Sequence, residues 1–191
     1  MRVSKETMAQ HHEALISAGA KLFRERGFDG VGVIEVAKEA GLTHGAFYGH
    51  FRSKADLAAE SCRRAFEERH GLWPAGMTLS GFVGMYLSSK HRDRPSEGCP
   101  VVCFAESIVR QETVVRREYA KGFENYVRQI SAQFEITGKT KLRARSDALL
   151  LIAALVGGVS AARSIVWSDR EMSDRILAET KKSVMQQFGL R

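Results

Sequence analysis

Residues 34–57 read IEVAKEAGLTHGAFYGHFRSKADL, and this stretch decides the fold. Val36 and Ala40 recur at helical spacing, which predicts a short helix with one buried face. Gly41 follows where a helix end needs a left-handed residue, and glycine takes that conformation at the least steric cost. Thr43 then stands where the N-cap of a second helix belongs, because its hydroxyl can accept a hydrogen bond from a backbone N–H. The stretch predicts a helix, a glycine turn and a second helix.

The second helix separates an inner face from an outer face. Phe47 and Phe51 lie four residues apart, so both can point into a core. The outer face is left with four residues: His44, Gly45, Tyr48 and His50. A helix–turn–helix of this kind places its second helix in the major groove of DNA. The stretch therefore predicts double-stranded DNA as a partner.

Residues 40–54, AGLTHGAFYGHFRSK, resemble the signature of the TetR family of bacterial repressors. The residues upstream resemble the first helix of that family: Ala14, Ala18, Leu22, Phe23 and the run Arg26-Gly27-Phe28. The resemblance covers roughly the first third of the chain. It is more specific than a generic helix–turn–helix because length, spacing and flanking helix all agree.

The resemblance implies an all-α fold with two domains. Residues 1–53 would form an N-terminal three-helix helix–turn–helix domain, and residues 54–191 a C-terminal helical domain for ligand binding and dimerisation. The implied function is a ligand-responsive transcriptional regulator, a repressor that a small-molecule effector releases from its operator. A homodimer through the last two helices would place two recognition helices on half-sites about 34–36 Å apart.

Matching positions in the family assign roles in DNA binding. Thr43, Tyr48 and Lys54 are candidates for phosphate contacts, since a hydroxyl, a phenol and an ammonium surround one helix end. His44 and Gly45 would face the groove, because glycine lets the backbone approach a base edge. His50 is a further candidate, although Tyr48 and His50 could instead pack between helices. With one sizeable polar residue in the groove, sequence preference would depend on DNA shape.

The charge of the chain supports DNA binding less directly. The formal net charge is +7, which favours an acidic partner. Residues 1–60, however, hold eight Lys or Arg and eight Asp or Glu, so the excess lies downstream. Gly32 also stands where the family carries a capping Ser or Thr, which removes one hydroxyl from the phosphate contacts. The DNA prediction therefore depends on the motif.

Helical periodicity predicts a helix over residues 4–26 and others over about 54–72, 78–90, 113–134, 145–166 and 169–188, with one more starting at Cys99-Pro100. Residues 91–98 are predicted to be a loop. The resembled family has a ligand cavity, and apolar and aromatic residues of the second domain suit an apolar or aromatic effector. The candidate ligand-binding residues are Phe66, Tyr86, Phe104, Phe123 and Tyr126, with Trp73, Met85 and Trp167 as further members of the set. Each of them could equally be ordinary core.

Cys99 and Cys103 suggest an alternative signal. They lie four residues apart at a helix start, where the helix dipole favours a thiolate. His91, Arg92 and Arg94 in the preceding segment could add to that effect. The alternative function is a repressor that senses electrophiles or oxidants through these thiols. The other reading is that both are small packing residues, since free cysteine is often buried.

Other classes of function find little support. With 3 cysteines, neither a disulfide scaffold nor a zinc spacing is apparent. No phosphate-binding glycine loop and no nucleophile–histidine arrangement is recognisable, so we expect no enzyme, catalytic residue, cofactor or metal site. The N-terminus is not a signal peptide, and the longest apolar run, 148–156, is too short to span a bilayer. We expect a cytoplasmic protein with no membrane partner.

Overall fold

The computed structural model describes residues 4–70 and 76–190, and within these ranges every regular element is a helix. The described α-helices are α1 (Lys5–Arg26), α2 (Val33–Glu39), α3 (His44–Phe47), α4 (Lys54–His70), α5 (Leu79–Tyr86), α6 (Ser89–Asp93), α7 (Pro100–Phe104), α8 (Thr113–Ile136), α9 (Lys141–Ile165) and α10 (Arg170–Phe188). Two 3₁₀ turns add Pro95–Glu97 and Ile108–Arg110. The predicted all-α fold class is confirmed.

The chain forms two compact units. The first unit comprises Met1–Arg69 and Cys99–Gly122, and the second comprises His70–Gly98 and Phe123–Arg191. This division groups segments by their backbone contacts. The functional boundary between residues 53 and 54 stays a prediction.

Local capping explains the helix–turn–helix. Gly32 caps α2 in an extended conformation, and its N–H donates to the Glu35 carboxylate at 2.9 Å. Gly41 has a φ of +70°, which is a left-handed conformation that glycine adopts without strain. The Thr43 hydroxyl accepts the Ala46 N–H at 3.3 Å and starts α3. The two helices, the glycine turn and the threonine cap are all confirmed.

The predicted single helix over residues 78–90 is wrong. α5 ends at Tyr86, and Leu87 follows with a ψ of 49°, outside the helical region. The Ser88 hydroxyl then accepts the His91 N–H at 3.2 Å and starts α6. A new cap therefore divides the segment, and α6 extends into the predicted loop over residues 91–98.

The last two helices pack along each other in the second unit. Thr140 caps α9, its hydroxyl accepting the Arg143 N–H at 3.4 Å, so this helix starts four residues before the predicted 145. Asp169 caps α10 by accepting the Met172 N–H at 2.9 Å. α9 is long and apolar enough to cross a membrane by length and composition alone, with a mean hydropathy of 1.9 over an 18-residue stretch. Core helices of soluble proteins share that composition.

Candidate DNA-binding site

The exposed face of α3 carries His44 and Tyr48, one helical turn apart. Their rings meet edge to face with centroids 5.2 Å apart, and Tyr48 is 61% exposed. Phe47 points the other way, is buried, and stacks on the ring of Phe51 at 5.7 Å. The predicted separation of an inner face with Phe47 and Phe51 from an outer face with His44 and Tyr48 is thus confirmed. The two phenylalanines anchor α3 in the core.

Thr43 and Gly45 are exposed beside this face. The Thr43 hydroxyl serves as the helix cap, and it lies at the end of α3 that exposes backbone N–H groups. A Cβ placed at Gly45 would meet nothing within 4 Å, so the backbone there is open to an approaching surface. This geometry suits DNA, and the contacts of both residues stay predictions.

Two cations follow α3. Lys54 is the first residue of α4 and is half-buried. The Arg52 side chain is 99% exposed, and its nearest carboxylate, Asp56, lies 3.9 Å away. Arg52 is absent from the predicted contacts, although a cation directly after the buried Phe51 was a usable signal. We add it to the candidate phosphate contacts.

Several carboxylates of the first unit are already bound by cations. Lys21 Nζ lies 2.6 Å from Glu39, and Arg26 Nη1 lies 2.8 Å from Glu35. The hydrogen bond from Lys21 holds the pKa of Glu39 below its ordinary value. The Gly32 N–H, followed by Arg26, does the same for the pKa of Glu35. The formally neutral N-terminal segment therefore contains carboxylates whose negative charge is already paired with a cation of the same protein.

His50 is half-buried against α1. Its ring centroid lies 6.1 Å from that of His11 and 5.8 Å from that of His12. The structure thus shows the packing alternative for His50, and a DNA contact stays a prediction. Within residues 4–70 and 76–190, no group of three or more His, Cys, Asp or Glu side chains is placed to hold a metal ion.

The ligand-binding candidates are divided between the two units. In the first unit, Phe66 is buried with its ring 5.7 Å from that of Tyr119. Phe104 is fully buried at 4.7 Å from Phe28. Both therefore pack in the core of that unit, and their role in ligand binding stays a prediction.

The second unit holds the other three candidates. The rings of Tyr86 and Tyr126 lie 5.8 Å and 6.2 Å from Phe82, so one phenylalanine joins them. Phe123 is half-buried. Trp167 is 92% exposed, which argues against it as a cavity residue in the single chain. Trp73 lies outside the described residues.

The three thiols differ in environment. Cys62 is fully buried, and this burial, with a smaller effect of the Glu118 charge, raises its pKa. Cys99 is buried and caps the five-residue helix α7, whereas Cys103 is partly exposed. Arg92, considered as an activating cation, instead donates to the Asp93 carboxylate at 2.7 Å. Sensing by Cys99 or Cys103 stays a prediction.

Comparison with known proteins agrees with this geometry. Residues 15–60 match the family described as bacterial regulatory proteins, tetR family. The chain is 24% identical over 185 residues to the HTH-type transcriptional repressor DhaR of Mycobacterium sp. (strain GP1), covering 92% of this chain and 91% of DhaR. It is 34% identical over 68 residues to the HTH-type transcriptional repressor NemR of Escherichia coli (strain K12), covering 36% of this chain and 34% of NemR.

The structure of reduced E. coli NemR superposes with a TM-score of 0.70 at 21% identity, covering 90% of this chain and 95% of that one. At that identity the likeness concerns the fold. It extends the match from the helix–turn–helix to nearly the whole chain. Together, the matched N-terminal segment, the full-length similarity to a repressor and the shared fold support a TetR family transcriptional regulator.

Proposed function

We propose that this protein is a dimeric, cytoplasmic repressor that binds a DNA operator through α2 and α3 and leaves it when a small molecule binds. The observation that carries the proposal is the exposed His44–Tyr48 face of α3. Phe47, on the opposite face, anchors it to the core by stacking on the buried Phe51. An anchored helix with an open glycine and exposed polar rings suits the major groove.

Phosphate contacts would surround this helix. Tyr48 and Arg52 are exposed, and Lys54 is half-buried at the start of α4. Such contacts position the protein on DNA without reading its sequence. Base readout would come from His44 and the backbone at Gly45, together with the shape of the DNA.

Fluorescence anisotropy with duplexes from the DNA flanking the protein's own coding region tests this assignment. Tyr48→Ala and Lys54→Ala are expected to weaken binding, and the lysine variant should lower the salt slope by roughly one. Lys182→Ala is the matched control because Lys182 is an exposed lysine of α10 in the second unit. If Tyr48→Ala and Lys54→Ala both bind with wild-type affinity, DNA binding by this face is refuted. Equal affinity of the wild type for random DNA would indicate a binder without sequence preference.

Dimerisation through α9 and α10 is supported by an uncovered stripe on α9. Leu149 and Leu150 are 43% and 52% exposed, and Ala153 and Gly157 continue the exposed face. Apolar surface of this kind marks protein interfaces. Leu149→Glu is expected to shift the protein to a monomer in light scattering. Ile136→Glu, at an exposed apolar residue of α8, should leave the dimer intact.

An effector would act through α4, which connects the helix–turn–helix to the rest of the chain. α4 starts directly after the helix–turn–helix and extends to His70. A coupling free energy of typically 1–3 kcal/mol would change operator affinity about 5–150-fold. A thermal-shift screen of apolar and aromatic compounds, followed by anisotropy with those that bind, tests this step. Binders that leave operator affinity unchanged would contradict it.

A redox or electrophile signal through Cys99 and Cys103 is the second candidate. It is favoured by the partly exposed Cys103 and by the structural similarity to NemR, which was solved in a form described as reduced. Cys99→Ser and Cys103→Ser should remove the response of DNA binding to diamide and to N-ethylmaleimide. A wild-type response in both variants would eliminate this candidate.

A further inference from the structure

Three histidine rings meet in the first unit, between α1 and the residues that follow α3. The His50 centroid lies 6.1 Å from His11 and 5.8 Å from His12. The His12 ring also stacks on the buried Phe51 at 4.7 Å with an interplanar angle of 16°. The same phenylalanine supports α3 through Phe47. The histidine cluster, defined as His11, His12 and His50, therefore lies directly on the support of the recognition helix.

In the free protein, burial and the neighbouring histidines disfavour a proton on His50. His12 Nε2 lies 3.1 Å from a Glu60 carboxylate oxygen, so a proton on His12 has a partner. The His50 ring makes no ion pair among the described residues. Burial, followed by the charges of His12 and His11, lowers the pKa of His50. A proton on His50 is thus opposed on the side that faces α1.

The remaining groups around His50 do not favour its protonation. A cleft of about 460 Å³ in the first unit has His50 and Phe51 in its wall. Its charged lining consists of three cations and three anions: Arg52, Arg63, Lys121, Asp56, Glu60 and Glu118. Lys121 lies 2.5 Å from Glu118, and Arg63 lies 2.5 Å from Glu67, so these charges largely compensate one another. The free protein therefore offers His50 no excess of negative charge.

Bound DNA would reverse this balance. His50 lies between the exposed Tyr48 and the exposed Arg52, two of the candidate phosphate contacts. Duplex DNA presents a dense line of negative charge, and an opposite charge nearby favours the protonated form of a histidine. His50 would then hold a proton in the complex at a pH at which the free protein has released it.

We propose that DNA binding by this protein is coupled to the uptake of a proton by the histidine cluster, chiefly at His50. The coupling rests on the proposed function as a DNA-binding protein. Its sign follows from linkage: the complex binds more protons than the free protein, so affinity rises as pH falls through the ordinary histidine range. One coupled proton changes affinity by at most about tenfold per pH unit.

The test is the pH dependence of DNA affinity at fixed ionic strength. The probe is a fluorescent duplex that the protein selects from a randomised pool, measured by anisotropy from about pH 8 to about pH 6, around the ordinary histidine pKa. Wild type should bind about three- to tenfold more tightly at the acidic end. His50→Gln should remove most of that gain. His91→Gln, a histidine of the second unit, is the control and should retain it.

A second measurement keeps the coupling testable if His50→Gln folds poorly. The NMR titration of the His50 ring should show a higher pKa in the complex than in the free wild-type protein. His11→Gln, which removes one neighbouring charge, should raise the pKa of His50 in the free protein and weaken the coupling. A complex whose affinity is independent of pH, or weakens on acidification, would overturn the coupling alone. Failure to select or bind any DNA at every pH would overturn the proposed function and the coupling with it.

Discussion

The Arg92 guanidinium donates a hydrogen bond to the Ser173 hydroxyl at 2.8 Å, which ties α6 to α10 inside the second unit. The arginine side chain is fully buried, and its Nε also donates to Asp93 at 2.7 Å. The Ser173 hydroxyl in turn donates a hydrogen bond to the Ala162 carbonyl of α9 at 2.7 Å. A single cation thus connects α6, α9 and α10.

Replacing Arg92 is expected to destabilise the protein strongly. Arg92→Met keeps much of the side-chain volume, but it removes the donor to the Ser173 hydroxyl and the cation that pairs with Asp93 and Asp174. We expect a loss of about 2–4 kcal/mol in the free energy of unfolding, measured with urea. Arg94→Met is the control, because Arg94 is 58% exposed and its nearest carboxylate is 3.8 Å away. It should cost less than about 0.5 kcal/mol, and equal losses would contradict a special role for Arg92.

Asp147 should contribute stability that acid removes. Burial alone would raise its pKa, but the hydrogen bond from Lys139 at 2.5 Å and the nearby Arg143 charge outweigh it, so the net pKa is lowered. A carboxyl with a depressed pKa contributes stability above its unfolded pKa and loses it as pH falls through its folded pKa. Asp147→Asn should therefore be less stable than wild type near pH 7, and the difference should shrink as pH falls from about 5 towards 2.

Thermal unfolding at a series of pH values measures this difference. The control is Glu135→Gln, at an exposed carboxylate of α8 in the same unit. If the difference in stability between Asp147→Asn and wild type stays constant down to acidic pH, the aspartate stabilises the protein through packing and its charge plays no part.

The three cysteines should react with iodoacetamide in a fixed order. Cys103 is partly exposed and should be alkylated first. Cys62 should react last, because it is fully buried and burial raises its pKa, which lowers the fraction of reactive thiolate. Mass spectrometry of tryptic peptides at timed intervals measures the order, and all three should react alike in urea. Early alkylation of Cys62 in the folded protein would contradict its burial.

The helix–turn–helix could be predicted because its signals are local. Gly41 and Thr43 determine their own backbone geometry, and the spacing of Phe47 and Phe51 determines which face is buried. The break at Leu87 had no such signal, because no glycine or proline marks it. The Ser88 hydroxyl makes the break, and serine also occurs within helices.

The surroundings of the candidate site depend on distant parts of the chain. His11 and His12 meet His50 because α1 packs on the residues after α3, and nothing in the spacing of these histidines indicates it. Spacing likewise could not tell that Phe104 packs on Phe28 while Tyr86 packs on Phe82. Which aromatic residues pack together depends on tertiary structure.

The neighbouring glycines of α9, Gly157 and Gly158, should respond oppositely to alanine. A Cβ at Gly158 would stand 2.8 Å from Thr180 Cγ2 and 3.1 Å from Leu87 Cδ2, so Gly158→Ala must displace the side chain of Thr180 or of Leu87. We expect a cost of about 1–3 kcal/mol from this overpacking. A Cβ at Gly157 would meet nothing within 4 Å of the single chain. Gly157→Ala should gain about 0.5–1 kcal/mol of helix propensity if nothing covers that face.

Thermal unfolding of both variants over a range of protein concentrations separates packing within the chain from packing between chains. A cost at Gly158 that does not depend on concentration would indicate the intramolecular contact with Thr180. If Gly157→Ala is instead destabilising, and more so in dilute solution, its open face must be covered by a partner, as the proposed dimer requires. If alanine lowers the stability equally at Gly157 and Gly158, independently of protein concentration, the difference in packing between these two positions is contradicted.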